Sequence, residues 1–208
     1  MKTTICLMRH GETNWNVSRR FQGMTDIPLN ECGREQARLT AHYLSSVSWD
    51  CAISSPLLRA KETAGIIAQN LQLGEVYIMD ELAERDVGSG TGYTPEEYQI
   101  AAGQGRLVGV ESFEMVRDRA MSALTKLGEE HAGRRMIVVS HGAVINAVLS
   151  ALSNGEIGTG KTALQNVCLN MLLFQNRHWE IESYNMIEHL RQDHGGMFVS
   201  LTDDIDFR

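Results

Sequence analysis

Two histidines in this chain stand at the ends of apolar runs and are each followed by glycine, His10-Gly11 and His141-Gly142, and the first is preceded by Arg9. A neutral imidazole with one bare nitrogen is a nucleophile, and a charged one can donate to a developing anion. Arginine beside such a histidine offers a planar fork of donors matched to phosphate or carboxylate. A second arginine, Arg59, stands in SSPLLRA, just after a short apolar run. Taken singly, each has a structural explanation: Arg9 a cap, Arg59 a surface ion pair, either histidine a hydrogen-bonded scaffold residue. Taken together, at the ends of apolar runs, they describe an anion site with a nucleophile in it. Metal ligation is the competing use of two histidines, and fixed guanidinium charges in the same site argue against it.

For these residues to meet, the elements before them must run side by side. Residues 3–8 form an apolar run of strand length that ends in charge. Residues 30–46 carry Ala37, Ala41 and Leu44 on a helical period, with Arg34, Glu35 and Arg38 outward. CAIS at 51–54 reads as a strand, and Ser55 then takes the N-cap with Pro56 at the first position of a helix to Asn70. Residues 76–79 form another short strand, and Thr94-Pro95-Glu96-Glu97 is a capping box. Between them the segment with Gly88, Gly90 and Gly92 has no apolar period and reads as a loop. Residues 112–131 form a helix and RMIVVS at 135–140 a buried strand, while 168–174 and 179–184 pair as a hairpin. Alternation of this kind predicts a single three-layer α/β domain over 1–190, its mostly parallel sheet flanked by helices, with at least one antiparallel strand at the close. The polar residues 191–208 are expected to be a partly disordered tail. Ligands of open parallel sheets bind beyond the carboxyl ends of the strands, where Arg9-His10-Gly11, the 54–60 segment and His141-Gly142 all fall.

One further motif asks to be weighed. Residues 155–162, GEIGTGKT, fit the phosphate-binding loop G-x-x-x-x-G-K-[ST]. That loop works by joining a strand to the positive end of a helix, whereas here a helical pattern precedes it and a strand follows. The order is reversed, and a nucleotide site is rejected. Composition agrees with a soluble globular protein: 208 residues, 43% hydrophobic, 22% charged, no apolar run of bilayer length. A net charge of -7 excludes a broad nucleic-acid footprint but leaves room for a local arginine cleft. The N-terminus lacks the pattern of a secretory signal, so a cytoplasmic location is expected. Cys6, Cys32, Cys51 and Cys168 are far apart, with no C-x-x-C pair, and are expected to be reduced and mostly buried.

In four ordered blocks the chain resembles the histidine phosphatase superfamily, also called phosphoglycerate-mutase-like. The blocks are LMRHGETNWN from Leu7, RRFQGMTDIPLNECGREQA from Arg19, SSPLLRAKETA from Ser54 and VVSHGAVINAVL from Val138. The resemblance implies a covalent mechanism in which His10 attacks phosphorus and carries a phosphohistidine. Arg9, Arg59 and a protonated His141 would surround the phosphoryl oxygens. Asn16 would add a hydrogen bond, with Arg20, Gln22, Gly23 and Gly142 as further substrate contacts. The family's proton donor lies in L-x-E-x-x-x-G-x-x-x-G, which assigns Glu84 here, with Glu81 as the alternative. Many members carry tryptophan at Gly90, so a looser loop is expected there. Neither metal nor cofactor is implied, and the partner is a small phosphorylated metabolite, not nucleic acid or membrane.

Two enzymatic outcomes remain, transfer to water or return to another hydroxyl of the substrate. Mutases of this kind carry a long basic insertion after the acidic loop, but Glu84 and Glu111 are separated by a short segment whose only cations are Arg85 and Arg106. The phosphatase is therefore expected, with a phosphoglycerate mutase as the alternative. A binding module that had lost catalysis would lack one of these residues, and all are present. The side chains do not name the substrate among sugar phosphates, phosphoglycerates or the nucleotide-loop phosphates of cobalamin synthesis.

Overall fold

The computed structural model describes residues 1–190; the tail expected at 191–208 lies outside the described residues. The chain opens with β1 (Thr3–Arg9), a short α1 (Asn14–Val17), α2 (Glu31–Leu44), β2 (Cys51–Ser54), α3 (Leu58–Leu71) and β3 (Val76–Ile78). It continues through α4 (Pro95–Gly103), α5 (Phe113–Glu130), β4 (Arg135–Ser140) and α6 (Gly142–Leu152), and closes with the hairpin β5 (Leu169–Gln175) and β6 (His178–Met186). The sheet runs in the order β3-β2-β4-β1-β5-β6. β1 and β2 both lie parallel to β4, β3 lies parallel to β2, and β5 is antiparallel to β1 and to β6. β5 is thus the one strand of the sheet that runs against the others.

Alternation along the central strands divides the core in two, because successive side chains of a strand face opposite ways. Ile5, Leu7, Met136 and Val138 pack with Val116, Leu124, Val144 and Val148 of α5 and α6. Cys6, Met8, Ile137 and Val139 pack with Ala41, Leu44, Ala60, Ala64 and Ile67 of α2 and α3. Both faces of β1 and β4 are covered, which is why their sequences are continuous apolar runs. Three helix starts follow their caps: Asn30 Oδ1 accepts from Gly33 N–H at 2.7 Å, Thr94 and Glu97 close a capping box, and Ser112 caps Met115.

The start of α3 departs from expectation. Its N-cap is Leu57, with no side-chain cap bond, and Pro56 lies outside the helix. Ser55 Oγ does accept from Leu57 N–H at 3.2 Å, but it also sits 2.7 Å from His141 Nε2. The serine is held by the neighbouring strand end instead of the helix. Among the described residues none of the four cysteines is in a disulfide, and only Cys6 and Cys168 are buried, so half of the set is less enclosed than expected. Among the described residues, no helix is long and apolar enough to cross a membrane.

Candidate active site

The parallel register brings the strand ends together. Arg9 lies beside Ser140, and Ser54 beside Val139. Each ladder extends one residue further, with His10 N–H donating to Ser140 O and Ser55 N–H to Val139 O, both at 3.0 Å. His10 and His141 therefore leave adjacent strands at the same level, and their rings stand 5.2 Å apart.

His10 is buried, and its Nδ1 lies 2.7 Å from Gly11 O. A carbonyl only accepts, so Nδ1 carries the proton and Nε2 keeps its lone pair. Burial above all, then the charges of Arg59 and Arg9, hold this imidazole well below the usual histidine range and hence neutral. Gly11 N–H donates to Thr63 Oγ1 at 2.9 Å, and Asn166 Nδ2 donates to His10 O at 3.0 Å. The backbone around His10 is thereby fixed on both sides.

His141 is fully buried and opens α6. His141 Nε2 lies 2.7 Å from Ser55 Oγ, which also accepts from Leu57 N–H at 3.2 Å. His141 Nδ1 is buried with no partner among the described residues. Burial, then Arg59, His10 and Arg9, push His141 well below the ordinary range. Burial and these cations act against the protonated His141 expected from sequence.

Arg59 is completely buried, donating from Nη1 to Thr25 O at 2.8 Å and from Nη2 to Gly23 O at 2.9 Å. Burial draws its pKa down to about 10, so the guanidinium stays charged at neutral pH. Arg9 Nη1 donates to Leu164 O. A cavity at these strand ends is lined by Arg9, His10, Arg59 and Glu84, with Asn16, Arg20, Gln22, Gly23 and Gly142 completing the residues expected there. His141 stands behind that wall. Asn16 Oδ1 accepts from Thr13 N–H and Oγ1–H, both at 3.0 Å, which leaves its amide donors for the cavity. Arg20 Nη1 donates to Gly92 O at 2.6 Å, and Gln22 Oε1 is buried without a partner among the described residues.

Glu84 reaches the cavity, whereas Glu81 is exposed and outside it. The Glu84 Oε1 accepts from Arg85 N–H at 2.7 Å. The looser loop expected at Gly90 is not what the packing shows: Gly90 is buried, and a Cβ there would lie 2.5 Å from Tyr98 Cε2. Tyr98 fills the space, and its ring packs against Phe21 with centroids 4.6 Å apart, tilted by 49°.

Sequence reasoning missed Asn166, Thr63 and the role of Ser55, all joined to the site by contacts distant in sequence. It also missed what residues 155–162 contribute. They link α6 to β5 without opening a helix, and Lys161 is exposed, its ammonium donating to Gly155 O. Thr159, Gly160 and Thr162 nonetheless form part of the cavity wall. Asn146 holds them, its Nδ2 donating to Thr162 O at 3.1 Å and its carbonyl accepting from Thr159 N–H at 3.2 Å. The glycine-rich stretch is a wall of this cavity, packed on α6 so closely that a Cβ at Gly158 (φ +96°) would lie 2.3 Å from Asn146 O. Among the described residues no group of three or more His, Cys, Asp or Glu is placed to hold a metal ion.

Comparison with known proteins follows the same lines. The family model described as histidine phosphatase superfamily (branch 1) matches residues 5–187. A Bacillus subtilis (strain 168) protein named "Uncharacterized phosphatase PhoE" is 40% identical, over 90% of this chain and 97% of its own. The "Metal-independent phosphoserine phosphatase" of Arabidopsis thaliana is 37% identical, over 90% and 83% respectively. The crystal structure of an Entamoeba histolytica phosphoserine phosphatase mutant in complex with phosphoserine superposes with a TM-score of 0.79 at 29% identity, covering 90% of this chain and 99% of that one. Other relatives bear the name phosphoglycerate mutase. With a family model spanning nearly its whole length and phosphatases among its near relatives, this chain belongs to the histidine phosphatase superfamily.

Proposed function

We propose that the protein hydrolyses a small phosphomonoester without a metal ion, through a phosphohistidine on His10. The observation that carries this reading is the fixed tautomer of His10, whose Nδ1–H is committed to Gly11 O while Nε2 stays neutral in a cavity walled by Arg9 and Arg59. Attack by Nε2 forms the P–N bond as the P–O bond to the leaving group breaks. Charge spreads over the equatorial oxygens, where Arg9, Arg59 and His141 stabilise it. Glu84 delivers its proton to the departing oxygen, then takes one from the water that attacks phosphorus. Phosphate leaves, and His10 returns to its starting state.

The cations that neutralise the phosphoryl group are side chains of this chain, and the Arabidopsis relative's name supports independence from metal. At the cavity mouth Arg19, Arg20 and Arg85 favour a leaving group with a negative charge of its own, and the Entamoeba relative's complex with phosphoserine is in keeping with that. The test is a labelled phosphomonoester quenched without acid, in chelator. A base-stable label on the parent protein, absent from His10→Ala, with inorganic phosphate as the product, is expected. Label on another residue, activity lost to chelator, or 3-phosphoglycerate returned as its isomer instead of phosphate would refute the corresponding part.

A further inference from the structure

The loop that presents Glu84 has no regular structure beyond two 3-10 turns, Asp80–Leu82 and Gly88–Gly90, yet all four carbonyls from Glu81 to Glu84 accept side-chain hydrogen bonds. Arg119, on α5, supplies three of them: Nη1 donates to Glu81 O and Ala83 O, both at 2.6 Å, and Nη2 to Glu84 O at 3.2 Å. Ser140 Oγ supplies the fourth, to Leu82 O at 2.8 Å. The same guanidinium grips the Glu111 carboxylate through Nε at 2.8 Å and Nη2 at 3.0 Å. Partial burial opposes ionisation of Glu111, but the Arg119 hydrogen bond brings its carboxyl below the usual range. Glu111 closes the far side of the loop, accepting from Asp86 N–H at 3.2 Å and donating its own N–H to Asp86 O at 2.8 Å.

Water would satisfy carbonyls in a loop near the surface. Here one planar fork gathers three of them, and the fourth is referenced to Ser140, the residue before His141. The path of residues 81–86 is thereby tied to the strand end that carries the phosphate site. Since Glu84 Oε1 is committed to Arg85 N–H, only Oε2 is left to bear the transferable proton, and its position is set by this backbone. We infer that Arg119, braced by Glu111, is a positioning residue that holds the proton donor at the leaving-group oxygen. Its action is on Glu84 and not on the phosphoryl group.

The inference rests on Glu84 being the acid, and the test separates the two. Arg119→Lys keeps the cation but loses the fork. Misplacing a reacting group by about 1 Å costs roughly 10²-fold, so kcat for β-glycerophosphate, an alkyl ester, should fall by that order. The burst of nitrophenol from p-nitrophenyl phosphate, whose leaving group departs without a proton, should change less than about threefold. In a Glu84→Gln background Arg119→Lys should cost nothing further on the alkyl ester, because the acid it positions is gone. Glu111→Gln, which retains the shape, should reproduce the pattern more weakly and serves if Arg119→Lys folds poorly. Equal losses on both esters, or a loss that adds to that of Glu84→Gln, would show that Arg119 only holds the fold and would overturn the inference. Glu84→Gln that left β-glycerophosphate turnover intact would instead remove the acid assignment itself.

Discussion

Gly33, in the first turn of α2, touches no substrate, yet replacing it with alanine is predicted to disable the enzyme. An added Cβ would lie 2.2 Å from Glu12 O and 2.6 Å from Glu12 N, and a Cβ on Gly11 would in turn meet Gly33 O at 2.5 Å. The two segments lie backbone to backbone, bound further by Asn30 N–H to Glu12 O at 3.0 Å and Glu12 N–H to Gln36 Oε1 at 2.9 Å. A tolerable C···O contact is about 3.3 Å, so helix or loop must retreat by about 1 Å, and neither partner is a side chain that can rotate away. Helix propensity favours alanine by about 1 kcal/mol, while overpacking costs about 1–3 kcal/mol. For an immovable backbone contact the upper part of that range applies, which leaves a net loss of about 1–2 kcal/mol. The larger effect is on catalysis. Glu12 follows Gly11, whose carbonyl fixes His10 Nδ1–H, so a 1 Å shift there moves the proposed nucleophile, a change worth about 10²-fold in kcat. Gly65→Ala on α3 is the control: nothing lies within 4 Å of its added Cβ, and propensity alone predicts up to about 1 kcal/mol of gain at unchanged kcat. Urea unfolding and p-nitrophenyl phosphate turnover of the two variants decide. If Gly33→Ala behaved like Gly65→Ala, the close approach would not be what positions His10.

Two further outcomes are expected. Glu84→Gln should slow alkyl phosphate hydrolysis by about 10²–10⁴-fold while preserving the nitrophenol burst, and Glu81→Gln, outside the cavity, should alter neither rate. His189, buried against Thr40 and Tyr43, has its pKa pushed down to about 4 by burial, against the raising effect of Glu188. It is neutral when folded but takes up a proton on unfolding below its free value near 6.5. Its stabilisation is therefore intact above that pH and lost as pH falls from about 6.5 towards 4, by up to about 1.4 kcal/mol per unit. His189→Gln should flatten the acid side of the urea-unfolding profile by that slope, and parallel profiles for the two proteins would contradict the assignment.

β1 and β4 were legible because burial on both faces makes them apolar runs, and the starts of α2, α4 and α5 because Asn30, Thr94 and Ser112 act on backbone a few residues away. Ser55 misled for the converse reason: its local chemistry is that of a cap, and a residue 86 positions away claims its hydroxyl. The residues on the strand ends could be read from His-Gly and Arg-His adjacency. Asn166, Thr63 and Arg119 could not, because each acts through backbone atoms of a distant segment, and a carbonyl leaves no mark in a sequence. The imitation of a nucleotide loop at 155–162 shows the same limit, since glycines that admit α6 look like glycines that admit phosphate.

Backbone atoms as anchors have an evolutionary corollary. Arg59 is held by the carbonyls of Gly23 and Thr25, and Arg9 by that of Leu164. Any amino acid supplies a carbonyl, so the geometry of these cations is encoded in the path of the chain and not in the identity of the anchoring residues. Thr25 and Leu164 can drift without discharging the phosphate site, and an ancestral sequence could try new leaving groups at the rim while its hydrolytic centre stayed intact. Residues 22–25 and 159–164 are therefore the natural place to diversify in directed evolution, provided that mutations keep the φ of +47° that Gly23 adopts and that of +73° at Gly160.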